Sequence, residues 1–246
     1  RNSWSVQFSR GAGGVVEIKG LEKFASKDFP GHISSTVFLG GCNFRCPFCH
    51  NSELVLYPSN LTSIDPSFFL SYLDSRRGWL DGLCLSGGEP FLHDDLEVLA
   101  RIIKDRGYKL KIDTNGSFPD QLEQFIKEGL VDAVAMDIKA PLERYSEVVR
   151  ATVDVERINK SVMIIKNSHL DYIFRTTVVP GIHQEKDLLA IGEWLQGTRV
   201  FQLQQFSPQK TIDPEFMRIK PFPPEKILSW AELLKPFFTE VRVEGL

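Results

Sequence analysis

Cysteine is scarce in this chain, with four residues in 246: Cys42, Cys46, Cys49 and Cys84. A disulfide scaffold would carry more of them, spread along the chain and oxidised in a suitable compartment. No apolar run approaches the roughly 20 residues that cross a bilayer. The stretch 1–14 lacks the apolar segment of a signal peptide. There is no basic surplus: 29 Lys and Arg stand against 32 Asp and Glu, a net charge of −3, which argues against a general nucleic-acid binder. Repeats of fixed length, low-complexity tracts and an interdomain linker are missing too, and no Ser–His–Asp set or carboxylate pair stands out. With 42% hydrophobic and 25% charged residues, the composition is that of a soluble globular protein. The expectation is a cytoplasmic protein with neither a membrane nor a nucleic-acid partner and with no evident catalytic side-chain set.

What the chain does have is alternation. Short apolar, β-branched runs predict strands at 34–39, 82–86, 109–114, 133–138, 172–179 and 200–206, with a shorter one at 241–243. Helical periods lie between them; Leu96, Leu99, Ala100 and Ile103 follow the i, i+3, i+4, i+7 spacing. Other helices begin near Pro66, Asp120, Val155, Glu185 and Pro224, where a proline or an acidic residue suits the first turn. Strand–helix alternation implies right-handed crossovers and a parallel sheet. Six such units fall short of the eight that close a barrel, so the predicted fold is α/β, a partial (β/α)6 TIM-like barrel, with a doubly wound sheet as the fallback. One domain over 1–246 is expected, with a lead-in at 1–19, a core over about 20–206 and a C-terminal helix and strand at 220–246. In either architecture the chemistry belongs at the C-terminal ends of the strands.

The first strand is followed by Gly40-Gly41-Cys42-Asn43-Phe44-Arg45-Cys46-Pro47-Phe48-Cys49-His50-Asn51. Three thiolates on one loop suit a cubane iron–sulfur cluster with one iron left for a substrate group. The competing reading is a structural zinc site, which needs four ligands. His50 adjoins Cys49, poorly placed to share a tetrahedron with it, and Cys84, inside a predicted strand, reads as a small buried thiol. At the next strand ends stand Ser86-Gly87-Gly88-Glu89-Pro90, Asp113-Thr114-Asn115-Gly116 and Met136-Asp137-Ile138-Lys139. Taken singly, Gly-Gly and Asn-Gly are turn signals. Asp137 and Lys139 fall on one face of their strand because side chains alternate. A carboxylate and an ammonium together suit a zwitterionic amino acid, and equally a plain ion pair. Arg175, in an otherwise apolar strand, calls for an anionic ligand or a paired carboxylate.

Read in order, these segments resemble the radical-SAM superfamily. C-x3-C-x2-C with Phe48 before the last cysteine resembles its signature. Cys49-His50-Asn51, and the lead-in from Gly20-Leu21-Glu22-Lys23 to Asp28-Phe29-Pro30-Gly31, resemble its branch of activating enzymes for glycyl-radical enzymes, such as pyruvate formate-lyase and anaerobic ribonucleotide reductase. The likeness covers residues 20–206, with motifs at five successive strand ends. It implies that Cys42, Cys46 and Cys49 ligate a [4Fe–4S] cluster whose open iron is chelated by S-adenosylmethionine (SAM). It further implies SAM contacts from Phe48, Gly87, Gly88, Glu89, Asp113, Asn115, Asp137, Lys139 and Arg175. A monovalent cation held by Asp113 and Asp137 is a further implication, as are adenine or ribose contacts near 204–208. There the usual histidine is not evident and Gln209 occupies the neighbourhood. No second cysteine group lies between Cys49 and Gly87, so an inserted ferredoxin-like domain is not expected.

The implied reaction is reductive cleavage of SAM to methionine and a 5′-deoxyadenosyl radical, which removes hydrogen from a glycine of a partner glycyl-radical enzyme. A flavodoxin- or ferredoxin-like protein would donate the electron. Two alternatives stay open: a radical-SAM enzyme modifying a small molecule, peptide or other substrate, and a non-catalytic zinc-binding module. Arg242-Val243-Glu244-Gly245-Leu246 superficially resembles a glycyl-radical loop, but five residues are too few to carry that reading.

Overall fold

The computed structural model describes residues 16–246, so most of the lead-in expected at 1–19 lies outside the described residues. Within each compact unit of the chain the strands follow one another in the order of the sequence. The chain divides into two compact units whose segments interleave along it.

The first unit takes residues 16–42, 53–113 and 120–133. Strand β1 (Ile18–Glu22) runs antiparallel to β2 (Ser34–Leu39). Next, β2 pairs in parallel with β3 (Gly82–Gly87), and β3 with β4 (Lys109–Thr114). The connections carry helices α1 (Ser52–Leu56), α2 (Pro66–Ser75), α3 (Leu96–Lys104) and α4 (Pro119–Lys127). Helix α2 starts where the sequence dictates: Asp65 accepts from the N–H groups of Ser67 and Phe68 at 2.9 and 3.1 Å, with Pro66 in the first turn. Its apolar stripe, Phe69 and Leu73, is fully buried, as are Ala100 and Ile103 of α3 and Leu83, Leu85, Leu110 and Ile112 of the strands. Burial on this scale is what stabilises a unit built from short helices.

The second unit takes Asn43–Ser52, Thr114–Pro119 and Val134–Leu246. It contains β5 (Ala133–Asp137), β6 (Asp171–Val178), β7 (Val200–Gln205) and β8 (Glu240–Glu244). Strands β6, β7 and β8 pair in parallel, and the Ile138 N–H just past β5 donates to the Arg175 carbonyl at 2.8 Å. Helices α5 (Tyr145–Val149), α6 (Val155–Lys166), α7 (Glu185–Trp194) and α8 (Pro224–Leu234) accompany them. The core here is Phe174, Phe201, Ile191, Leu234 and Trp230. Among the described residues no helix is long and apolar enough to cross a membrane.

The expected α/β class and the strands of its six repeats are present, with ends matching or moved by a residue. The antiparallel β1 was not expected. Its residues, Ile-Lys-Gly-Leu-Glu, interrupt apolar alternation with a glycine, and its pairing carries an irregularity between Ile18 and Gly20, so the period-two signal is lost.

Candidate functional site

The cysteine loop leaves β2 without regular structure and is pinned by its backbone. Gly41 N–H donates to the Leu54 carbonyl at 2.7 Å, Arg45 N–H to Val149 at 2.8 Å, and Cys49 N–H to Cys46 at 3.0 Å. The Asp213 N–H donates to the carbonyl of Pro47 at 2.9 Å. All four cysteines are thiols outside disulfides; Cys46 and Cys84 are buried, Cys42 and Cys49 half-buried. Phe48, also buried, sets its ring edge-on to His183 with centroids 6.3 Å apart. Burial pushes the Cys49 thiol up, a rise that the Lys139 ammonium offsets only in part. For Lys139 burial favours the neutral amine, yet Asp137 first and Cys46 next hold it above the ordinary lysine value. The Lys139 ammonium therefore faces the Cys46 and Cys49 thiols, and each sulfur stabilises its charge. No three His, Cys, Asp or Glu side chains among the described residues are gathered closely enough to hold one metal ion. A cubane has no such requirement, because each cysteine takes a different iron.

The glycine pair after β3 meets the start of that loop. Gly87 has φ +113°, a left-handed conformation, and a Cβ on it would lie 2.4 Å from the Leu39 carbonyl oxygen. A Cβ on Gly88 would lie 1.6 Å from the Gly41 carbonyl oxygen, an impossible distance. The Gly88 and Glu89 N–H groups donate to Leu39 and Gly41, each at 2.9 Å. His93 Nε2 donates to the Gly40 carbonyl at 2.8 Å. Glu89 is fully buried, and its carboxylate caps the next turn by accepting from Phe91 N–H at 3.2 Å. These residues fix the backbone just before Cys42.

Asp113, at the end of β4, is half-buried; its Oδ1 is ion-paired with Lys111, and its Oδ2 accepts from Ser86 Oγ at 3.2 Å. In the second unit Asn115 Nδ2 donates to Asn43 Oδ1 at 2.9 Å, and Asn43 Nδ2 donates to Ser117 Oγ at 2.8 Å. That lattice ties the cysteine loop to the Asn115-Gly116 turn, where Gly116 has φ +79° as the turn reading requires.

Asp137 is the centre of the second unit's charge. Arg175 Nε donates to its Oδ1 at 2.7 Å and Lys139 Nζ to its Oδ2 at 3.0 Å, all three side chains being under a third exposed. Of the two roles the sequence allowed Arg175, the paired carboxylate is realised. Burial by itself would raise the Asp137 carboxyl, but Arg175 and then Lys139 outweigh it and hold it far below the usual carboxylate range. The native pKa therefore lies below the unfolded one of about 3.9. The apoprotein should lose this contribution as pH falls below about 4, and Asp137→Asn should flatten that acid limb in urea unfolding followed by circular dichroism.

Around this triad sit residues the sequence reading did not single out. Tyr145 is fully buried; its hydroxyl donates to the Asp137 carbonyl and accepts from Lys139 N–H, both at 3.3 Å. His183 Nδ1 accepts from Val179 N–H at 3.1 Å, which places the proton on Nε2, and Nε2 donates to the Lys139 carbonyl at 2.9 Å. Neither residue had a motif to announce it. Lys111 did have a signal: a charge inside a buried strand two residues before Asp113, the feature that drew attention to Arg175. At the end of β7, Gln205 Nε2 donates to the Phe222 carbonyl at 2.7 Å, while its buried Oε1 has no partner among the described residues. It is an acceptor with capacity for an amino group.

The Radical SAM superfamily profile matches residues 36–194. A Methanocaldococcus jannaschii protein named as a glycyl-radical enzyme activating enzyme is 35% identical over 216 residues, 86% of this chain and 88% of that one. The pyruvate formate-lyase-activating enzyme of Streptococcus mutans is 27% identical over 210 residues, 79% and 78% of the two chains. Among solved structures, Streptococcus suis SuiB bound to S-adenosylmethionine superposes with a TM-score of 0.63 at 13% identity. That match covers 83% of this chain and only 48% of SuiB, and it speaks for the fold alone. Membership implies a [4Fe–4S] cluster and SAM, and the donor set fits both: three thiols on one pinned loop, and a charged triad beside two of them. The chain belongs to the radical SAM superfamily and is an enzyme of the activating-enzyme kind.

Proposed function

We propose that this chain activates a glycyl-radical enzyme by removing hydrogen from a glycine of that partner. Cys42, Cys46 and Cys49 hold the cluster; three donors for four irons leave one iron to SAM. Phe48, Gly87, Gly88, Glu89, Asp113, Asn115, Asp137, Lys139 and Arg175 line or brace the SAM site. When bound, the cluster and SAM supply reductive cleavage to methionine and a 5′-deoxyadenosyl radical, with the electron from a flavodoxin- or ferredoxin-like donor. The protein's own work is electrostatic and steric. Lys139 and Arg175 offer the positive charge that receives the methionyl carboxylate, and Asp137 keeps both cations at fixed distances. Phe48 and the buried strand ends exclude water from a reactive radical.

The observation that carries this reading is the Lys139 ammonium set against the Cys46 and Cys49 thiols. An extended likeness to two activating enzymes supports the choice of substrate. The test is anaerobic reconstitution, reduction, and addition of SAM with a candidate glycyl-radical enzyme. A glycyl radical detected by electron paramagnetic resonance, with about one deoxyadenosine released per radical formed, is the expected result. SAM cleavage with no glycyl radical for any candidate partner would move the chain to the small-molecule and peptide modifiers. A tetrahedral zinc protein that cannot accept iron would end the proposal.

A further inference from the structure

The resemblance implies a monovalent cation on Asp113 and Asp137, and the residues do not fit one. Both carboxylates already carry protein cations. Asp137 is clamped between Arg175 and Lys139, at 2.7 and 3.0 Å. Asp113 is paired with Lys111, whose side chain is only 4% exposed. The register of the sheet explains how that ammonium gets there. Lys111 and Asp113 are two apart on β4 and share a face, while Leu110 and Ile112 turn to the core. Cys84 on β3 is the register partner of Lys111, and Lys111 Nζ donates to its sulfur at 3.6 Å. Ser86, two residues further along the same strand, donates to the other Asp113 oxygen at 3.2 Å. The lysine stem crosses the buried face so that the ammonium meets the carboxylate at the strand end. A buried ammonium demands such a partner, and a free cation added to the same carboxylate would meet a like charge with little water to screen it.

We propose that Lys111 is a built-in counter-ion: its ammonium takes the place of the monovalent cation at Asp113 and makes the enzyme independent of potassium and sodium. The inference rests on the reading that these strand ends receive SAM, but it can fail separately from it.

The test uses reconstituted holoenzyme in tetramethylammonium, sodium and potassium chlorides at equal ionic strength. Wild-type SAM cleavage should agree within about twofold across the three salts, whereas Lys111→Met should lose about tenfold or more in tetramethylammonium and regain it in potassium, as a mass-action ligand requires. Sodium-23 linewidths give a second readout that needs no turnover, and they decide alone if SAM is not cleaved in any salt: no saturable broadening with wild-type protein, saturable broadening with Lys111→Met. Stimulation of the wild-type enzyme by potassium or sodium, or its saturable broadening of the sodium line, overturns the proposal. So does a folded Lys111→Met variant that stays indifferent to the salt. Should the variant fail to fold, the wild-type salt series and linewidths decide.

Discussion

Replacing Cys46 by alanine is expected to abolish cluster assembly and SAM cleavage, whereas Cys84→Ala should leave iron content and cleavage largely intact. Both thiols are buried, so burial does not separate them; their surroundings do. Cys46 lies on an irregular loop, one of three cysteines within eight residues, and contributes to the field that holds the Lys139 ammonium protonated. Cys84 is inside β3, fully buried, and its sulfur receives the weak hydrogen bond from Lys111. Its loss should cost about 1 kcal/mol of stability, the scale of one modest hydrogen bond, and no ligand. Iron and sulfide analysis of the two reconstituted variants, alongside deoxyadenosine release, reads the difference directly. Equal iron loss in both would mean that the ligands are misassigned.

Gly88→Ala should be the most damaging single methyl in the described chain. The added carbon would sit 1.6 Å from a backbone oxygen of Gly41, with no flexible side chain to yield. Relief requires pushing apart the segments joined by the two hydrogen bonds from Gly88 and Glu89 to Leu39 and Gly41. Overpacking of this kind costs typically about 1–3 kcal/mol, and the upper end is expected where backbone must move. The shift falls on the residue before Cys42, so iron incorporation should fall along with stability. Chemical denaturation and iron analysis of the variant check both effects. By contrast, an alanine at Gly181, where nothing lies within 4 Å of the added carbon, should cost only the penalty of its left-handed conformation, about 1 kcal/mol. A Gly88→Ala protein with wild-type stability and iron would show that the glycine pair is not held as described.

The contrast between these two tests reflects what a sequence makes legible. Chain-local geometry was readable: the Asp-x-Lys alternation puts Asp137 and Lys139 on one face, and their side chains do meet at 3.0 Å. So were strands such as Ser34–Leu39 and Lys109–Thr114, whose apolar runs match the period of the structure. Partnership across the chain was not readable. Arg175 could seek a ligand or a carboxylate, and only the pairing of β6 beside β5 brought it to Asp137. The glycines after β3 read as turn or ligand contacts, and their tight fit against Gly41 emerges only once β2 and β3 are in register. Lys111 carried a local signal, its place two residues before Asp113 in a strand, but its cross-strand neighbours Cys84 and Ser86 emerge only from the pairing of β3 with β4.

His183 has a consequence for how this protein meets acid. Its two backbone partners dictate one tautomer, and burial keeps the imidazole neutral below its ordinary value. The unfolded chain, free of those partners, takes up a proton at about pH 6.5. Mild acidification therefore draws down the folding free energy before it alters the ring itself. The imidazole that bridges Val179 and Lys139 is thus a rivet whose protonation belongs to the unfolded chain.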